Sequence, residues 1–364
     1  MKKLLTGLLI VLFGFNLPAQ QYFATPAAEG HRCLVLMNPT ENNLKTIFYL
    51  IDNKIFPLPD DYHLVGFFYT SQNYDFSQSA RLIKESGRKN VFLHACSDTI
   101  GAAVYSANPC SDDFKLVFSA SNGVIFFGGP DIPPALYQQQ TNLLTEITDY
   151  HRHEFEASFL FHLLGGYQDE SYIPLLEQKP GFVIQGICLG MQTMNVATGG
   201  TLVQDIPTVV YRQETVEQVL KAVPDARHRN YHTNLGTDDD LIWGHFHRIR
   251  MLMPERMDVF LQGSSPEPYV LSSHHQAAGR IGKGFRIAAT SMDGKVTEAL
   301  VHEKYSHVIG FQFHPEPVML YDPETRFREY PGQPSSGSYI ELFGKEKGEI
   351  FNRNVWRWMG EVLR

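Results

Sequence analysis

The run Phe182-Val183-Ile184-Gln185-Gly186-Ile187-Cys188-Leu189-Gly190-Met191-Gln192 reads as a strand that turns directly into a helix. Its first half is a short apolar run, the pattern of a strand buried on both faces of a sheet. Its second half opens a helical pattern that stops near Thr198-Gly199-Gly200. Between the two, Gly186-x-Cys188-x-Gly190 has the form of a nucleophile elbow with cysteine in place of serine. Glycines flank the turn where a Cβ would clash. The turn lifts Cys188 to the mouth of the sheet at a helix N-terminus, where the dipole and unpaired N–H groups favour a thiolate. The backbone N–H of Leu189 then points at an oxyanion formed beside Cys188.

Working outward, the same alternation of strand and helix recurs. Cys33–Met37, His63–Tyr69, Val91–His94 and Val124–Phe127 read as strands, the last ending in Gly128-Gly129-Pro130. Helical patterns run from Leu44 to Ile51, from Phe76 to Glu85 and from about Leu136 to Leu164. Short apolar strands between helices predict an α/β fold with three layers, α/β/α, around a central mostly parallel sheet. The second half adds strand runs at Tyr269–Leu271, Arg286–Ala289, Val296–Val301 and Val308–Phe313, with a hairpin turn at Ser291–Lys295. These are antiparallel additions to the sheet. At the C-terminus, Phe351, Val355, Trp358, Met359 and Val362 share one helical face. Residues 206–262 and 317–347 are polar, proline-rich or irregular and read as insertions on a single domain spanning 20–364.

A thiolate needs a base and a group to orient that base. His314-Pro315-Glu316 follows the strand Val308–Phe313 and supplies both, with the proline barring helix continuation. Gly129, in the Gly-Gly turn after Phe127, offers a second backbone N–H to the oxyanion. Each piece alone has a bland explanation: a buried small hydrophobe for the cysteine, surface turns for the other two. Their shared position at strand C-termini of one parallel sheet is what points to chemistry.

These residues resemble the class I glutamine amidotransferase-like proteins, a flavodoxin-like fold, and more narrowly the γ-glutamyl hydrolase family (peptidase family C26), with its γ-glutamyl-γ-aminobutyrate hydrolases. The resemblance rests on Phe127–Ile132, Gly186–Gln192, Gly199–Asp205, Ser272-Ser-His-His-Gln276, Asp293-Gly294 with Glu298, and Gly310–Glu316. It implies a triad of Cys188, His314 and Glu316, with an oxyanion hole at Gly129 and Leu189. It also implies that Gln192, Ser273, His274, His275 and Gln276 line a γ-glutamyl pocket. The implied reaction is hydrolysis of γ-glutamyl amides through a thioester on Cys188, needing no metal and no organic cofactor. Two positions depart from the aminobutyrate hydrolases. Leu189 stands where they often carry Arg, and Arg152-His153-Glu154-Phe155-Glu156 stands where they show Arg-Asp-x-x-Glu.

Composition bounds the rest. Hydrophobic residues make up 43% and charged residues 19% of 364 positions, which is globular. A formal net charge of −8 argues against nucleic acid as a partner. Lys2 and Lys3, the apolar run Leu4–Phe15 and the small residue Ala19 read as a signal peptide over residues 1–19. The chain is therefore expected to be exported, periplasmic or secreted, without stable membrane insertion after cleavage. The apolar run is too short to span a bilayer, and Cys33 lies too far beyond it for a lipoprotein. Small γ-glutamyl compounds or peptides are the expected partners, and a homodimer stays open. Cys33, Cys96, Cys110 and Cys188 are too few for a disulfide scaffold, although Cys96 and Cys110 are near enough in sequence to pair. His151-x-His153, His245-x-His247 and His274-His275 lack a full metal-ligand spacing, so no metal site is expected. Two other functions fit the same motifs. A glutaminase domain feeding a synthetase is disfavoured by export, because such partners use cytosolic ATP. A non-catalytic binding protein is disfavoured by the intact Cys/His/Glu set.

Overall fold

A computed structural model describes residues 21–334 and 337–364. The expected signal peptide lies outside the described residues. Among them, the strands are β1 (Arg32–Met37), β2 (Tyr62–Tyr69), β3 (Val91–Cys96), β4 (Gly123–Phe126), β5 (Val183–Ile187), β6 (Leu202–Val203), β7 (His245–Met251), β8 (Tyr269–Ser272), β9 (Ala277–Ala278), β10 (Phe285–Ser291), β11 (Thr297–His302) and β12 (Val308–Phe311). The α-helices are α1 (Glu41–Asp52), α2 (Ser77–Ser86), α3 (Ser111–Ser119), α4 (Tyr150–Leu164), α5 (Leu189–Ala197), α6 (Ile206–Val209), α7 (Val216–Leu220), α8 (Pro254–Leu261), α9 (Tyr339–Phe343) and α10 (Glu349–Val362).

Ten strands form one sheet in the order β3-β2-β1-β4-β5-β12-β11-β10-β7-β8, while β6 and β9 pair separately. From β3 to β12 the pairings are parallel, and from β12 to β8 they are antiparallel. This is the expected mostly parallel sheet with an antiparallel extension. Side chains alternate across it. In β1, Cys33, Val35 and Met37 enter one core, while Leu34 and Leu36 enter the core on the opposite face. Both faces are covered, which explains the continuous apolar runs.

Three expectations need correction. Helix α4 begins at Tyr150, not Leu136. Gln138 adopts a left-handed φ of 58°, and the Asp149 side chain caps α4 by accepting from the Arg152 N–H. Leu143 between them is fully exposed, so the apolar spacing there buries nothing. The stretch 206–262 is not merely a peripheral insertion, since it donates β7 to the sheet between β10 and β8, and α8 beside α10. On α10, Trp356 is buried with Phe351, Val355 and Met359, whereas Trp358 and Val362 are only partly covered. Trp356 Nε1 donates to the Pro315 carbonyl at 2.9 Å, which ties this helix to the loop carrying His314. The stretch 317–347 is irregular for much of its length, yet it plants Leu320, Tyr321 and Tyr339 in the core.

Candidate active site

Strand β5 ends at Ile187, and the next residue, Cys188, takes φ 52° and ψ −105° at the N-cap of α5. A non-glycine residue in that region stores strain, and such strain persists only where the surroundings impose it. Here the Cys188 N–H donates to the Phe311 carbonyl of β12 at 2.7 Å. The flanking glycines serve packing rather than φ. A Cβ on Gly186 would lie 2.5 Å from Met194 Sδ, and one on Gly190 would run into the Phe126 carbonyl. Their absence lets α5 lie down on β4 and β5. The elbow leaves Cys188 5% exposed, and its Sγ accepts from Gln312 Nε2 at 3.7 Å.

His314 follows β12, and its N–H donates to the Leu271 carbonyl of β8 at 2.7 Å. Its Nδ1 lies 2.6 Å from Glu316 Oε1, so the carboxylate fixes the ring with Nε2 free to face Cys188. Burial disfavours a charge on this ring, but Glu316 and the Cys188 sulfur outweigh burial and hold its pKa well above the usual histidine value. Gly128 forms the floor under the pair: a Cβ there would lie 2.8 Å from His314 Cε1 and 3.6 Å from Cys188 Cβ. Trp243, 46% exposed, stands edge-on to His314 at 5.3 Å between centroids.

The Gly-Gly turn is oriented by a residue the sequence did not single out for this role. Arg152 on α4 is buried and paired with Glu156 at 2.8 Å. Its Nη2 donates to the carbonyls of Phe127 at 3.1 Å and Gly128 at 3.0 Å. In a trans peptide the C=O and the following N–H point opposite ways. The N–H groups of Gly128 and Gly129 are therefore turned away from Arg152. Leu189 starts α5, and its N–H belongs to the first turn, which has no intrahelical acceptor. The Leu189 side chain packs against Gly129, where a Cβ would lie 2.8 Å from Leu189 Cδ2.

Two cavities flank these groups. One, about 390 Å³, is lined in part by Pro130, Asp131, Glu146, Asp205, Arg229, Tyr231, Ser273 and His275. The other, about 440 Å³, is lined by Asn42, Asn43, Gly128, Trp243, His314, Glu316 and Met319 among others. Ser273 Oγ donates to the Trp243 carbonyl at 3.1 Å on the wall between them. Of the five residues expected to contact substrate, Ser273 and His275 reach the first cavity. His275 is clamped between Asp131 at 2.9 Å and Asp205 at 3.0 Å. Burial opposes its charge, but the two carboxylates prevail and raise its pKa to about 9. The other three lie deeper than expected. Gln192 is 4% exposed and donates to the Gln276 carbonyl at 3.2 Å and to Gln312 Oε1 at 3.3 Å. Gln276 is fully buried. His274 does not line either cavity, because its ring is turned into a buried group with His228, His247 and Glu298.

Gln312 was legible in principle. It stands two residues before His314 on an extended run, so the period of two puts both side chains on one face. Arg152 and Glu156 are a helical i, i+4 pair. Asp131 and Asp205 lay within the segments that carry the resemblance but had no role assigned, and Trp243 carried no signal. Cys33, Cys96, Cys110 and Cys188 are all buried free thiols, with Cys96 and Cys110 side by side. Among the described residues no helix is long and apolar enough to cross a membrane.

Comparison with known proteins agrees with this architecture. The chain is 29% identical over 202 residues to a provisionally named glutamine amidotransferase of Mycobacterium tuberculosis, across 55% of this chain and 52% of the relative. It thus spans about half the length of that relative. It is 28% identical over 224 residues to a glutamine amidotransferase-like protein of Rickettsia prowazekii, across 57% and 74% of the two chains. A similar protein of Lactococcus lactis is 27% identical over 209 residues, across 57% and 70%. The profile of peptidase C26 matches residues 71–316, which include the elbow, the Arg152–Glu156 pair and the His314–Glu316 turn. The chain belongs to the peptidase C26 family.

Proposed function

We propose that this protein is an exported cysteine hydrolase that cleaves γ-glutamyl amide bonds through a γ-glutamyl thioester on Cys188. The observation that carries this reading is the 2.6 Å contact of Glu316 with His314, whose ring faces a cysteine held at a strained φ on a helix N-terminus. The Cys188 thiolate attacks the γ-carbonyl carbon. The N–H groups of Gly129 and Leu189 hold the oxyanion, and Arg152 keeps the Gly129 peptide pointed that way. His314 gives its proton to the amine nitrogen, the C–N bond breaks and the amine leaves. Water then loses a proton to His314 and attacks the thioester, and glutamate departs as the thiolate reforms.

The cavity chemistry supports a division of labour. A γ-glutamyl group carries an ammonium and a carboxylate. Asp131, Glu146 and Arg229, which all line the 390 Å³ cavity, offer both signs of charge to that zwitterion. The amine must leave beside its proton donor, and the 440 Å³ cavity is the one that His314 and Glu316 line. The Lys2–Ala19 segment supports export. An exported chain works away from ATP, which favours a stand-alone hydrolase over an ammonia-feeding domain.

The test is a panel of γ-glutamyl peptides, polyglutamates, aminobutyrate amides and glutamine, followed by mass spectrometry. Hydrolysis of γ-glutamyl amides that disappears in a folded Cys188→Ala variant is expected, together with labelling of Cys188 by a glutamine-derived chloroketone. Turnover unchanged in Cys188→Ala overturns the mechanism. Turnover of glutamine alone favours the amidotransferase reading.

A further inference from the structure

His228, His247, His274 and Glu298 come from four separate stretches of chain: the loop before Asn230, β7, the turn after β8, and β11. All four are buried, and their donor atoms lie within 4.8 Å of one another. His228 Nδ1 is 3.1 Å from Glu298 Oε1, while Nε2 of His247 and Nε2 of His274 are each 4.0 Å from a Glu298 oxygen. We propose that these four side chains bind one borderline divalent transition-metal ion, Zn²⁺ foremost, as a structural centre beneath the active site.

Three observations carry this. The first is the set of orphaned groups: both ring nitrogens of His228, Nε2 of His274 and both oxygens of Glu298 lack a hydrogen-bond partner. Buried polar atoms are nearly always satisfied, so unpartnered atoms on three of four side chains whose donor atoms gather within 4.8 Å call for something between them. The second is ring orientation. His247 and His274 each direct Nδ1 at a backbone carbonyl, of Arg248 at 3.1 Å and of Gln276 at 2.9 Å. That contact fixes the tautomer and turns Nε2 inward, as in metal-bound histidines; Nε2 of His274 is unpartnered, while Nε2 of His247 lies 2.8 Å from Ser272 Oγ, a contact that an ion would displace. The third is ligand type. Three neutral imidazoles and one carboxylate suit zinc and its first-row neighbours rather than Mg²⁺ or Ca²⁺. Tetrahedral zinc ligands stand roughly 3.4 Å apart, so modest side-chain rotation closes the group around an ion.

The placement explains what residues 206–262 do for the fold. His228 and His247 lie in that stretch, His274 and Glu298 outside it. A metal would pin the stretch to the sheet. It would also fix the cavity wall, since Arg229 follows His228 and Ser273 and His275 flank His274.

The test uses the full mature chain, stripped with a chelator and then incubated with Zn²⁺ or Co²⁺ before gel filtration. About one equivalent retained by elemental analysis, four-coordinate ligand-field absorption with Co²⁺, and a raised Tm are expected. Apparent affinity should fall more than about a hundredfold in His228→Gln and in Glu298→Gln, while His151→Gln, at an exposed helical site, should bind as the wild type does. Wild-type protein that retains no metal and shows no such absorption overturns the proposal, even if both ligand variants fail to fold. Uptake undiminished in folded ligand variants overturns it equally. Neither outcome depends on the γ-glutamyl reading, because no readout is catalytic.

Discussion

The Arg152 guanidinium lies 3.0 Å from the Gly128 carbonyl, and that contact decides which way the Gly128–Gly129 peptide faces. A helix on one side of the sheet thereby aims a backbone N–H at the opposite end of the elbow. Arg152→Lys keeps a charge beside Glu156 but loses the fork that reaches two carbonyls at once. Steady-state kinetics should show kcat reduced by about tenfold to a hundredfold with KM changed little, the mark of a group that acts only on the developing oxyanion.

Gln312 donates to the Cys188 sulfur and accepts from Gln192. Replacing it with a carboxylate puts a like charge beside a thiolate. In Gln312→Glu, the rate of alkylation of Cys188 at neutral pH should fall about tenfold. An unchanged rate would show that the 3.7 Å contact does not act on the sulfur.

Gly190 faces the Phe126 carbonyl with no room for a methyl group. Gly190→Ala should therefore push α5 off β4, costing about 1–3 kcal/mol. Denaturant unfolding should show the midpoint falling with little change in slope. Gly181→Ala, where a Cβ meets nothing, is the control.

His275 is held near a pKa of about 9 by Asp131 and Asp205, against about 6.5 for a free histidine. A raised folded pKa means stability that is fully present below about pH 6.5 and lost as pH rises through about 9. The Tm difference between wild type and His275→Gln should thus be largest near pH 6 and shrink toward pH 9. A difference that stays constant across that window would remove the charge from the explanation.

His314 carries the same sign. Its pKa is raised by Glu316 and the Cys188 sulfur against burial, so the ring keeps its proton to a higher pH than a free histidine does. Glu316→Gln removes the charge of one of those two supports. The alkaline limb of the kcat profile should move to lower pH in that variant, and kcat should fall about a hundredfold or more.

Much of this protein was legible in one dimension. Gly186-x-Cys188-x-Gly190 after an apolar strand encodes the elbow because a turn and its packing are local matters. His314 and Glu316 lie two residues apart, so their contact needs no distant partner. The alternating runs from Cys33 to Ile187 announced a parallel sheet because burial on both faces leaves a continuous apolar signature. Other features depend on where the chain returns after long excursions. Arg152 meets Gly128 only because α4 packs beside β4. Trp356 reaches Pro315 only because α10 closes over the extended loop. His228, His247, His274 and Glu298 span more than seventy positions, and only the antiparallel half of the sheet brings them together. Sequence periodicity records which face a residue presents, whereas the identity of its neighbour on that face is set by the order in which strands pair.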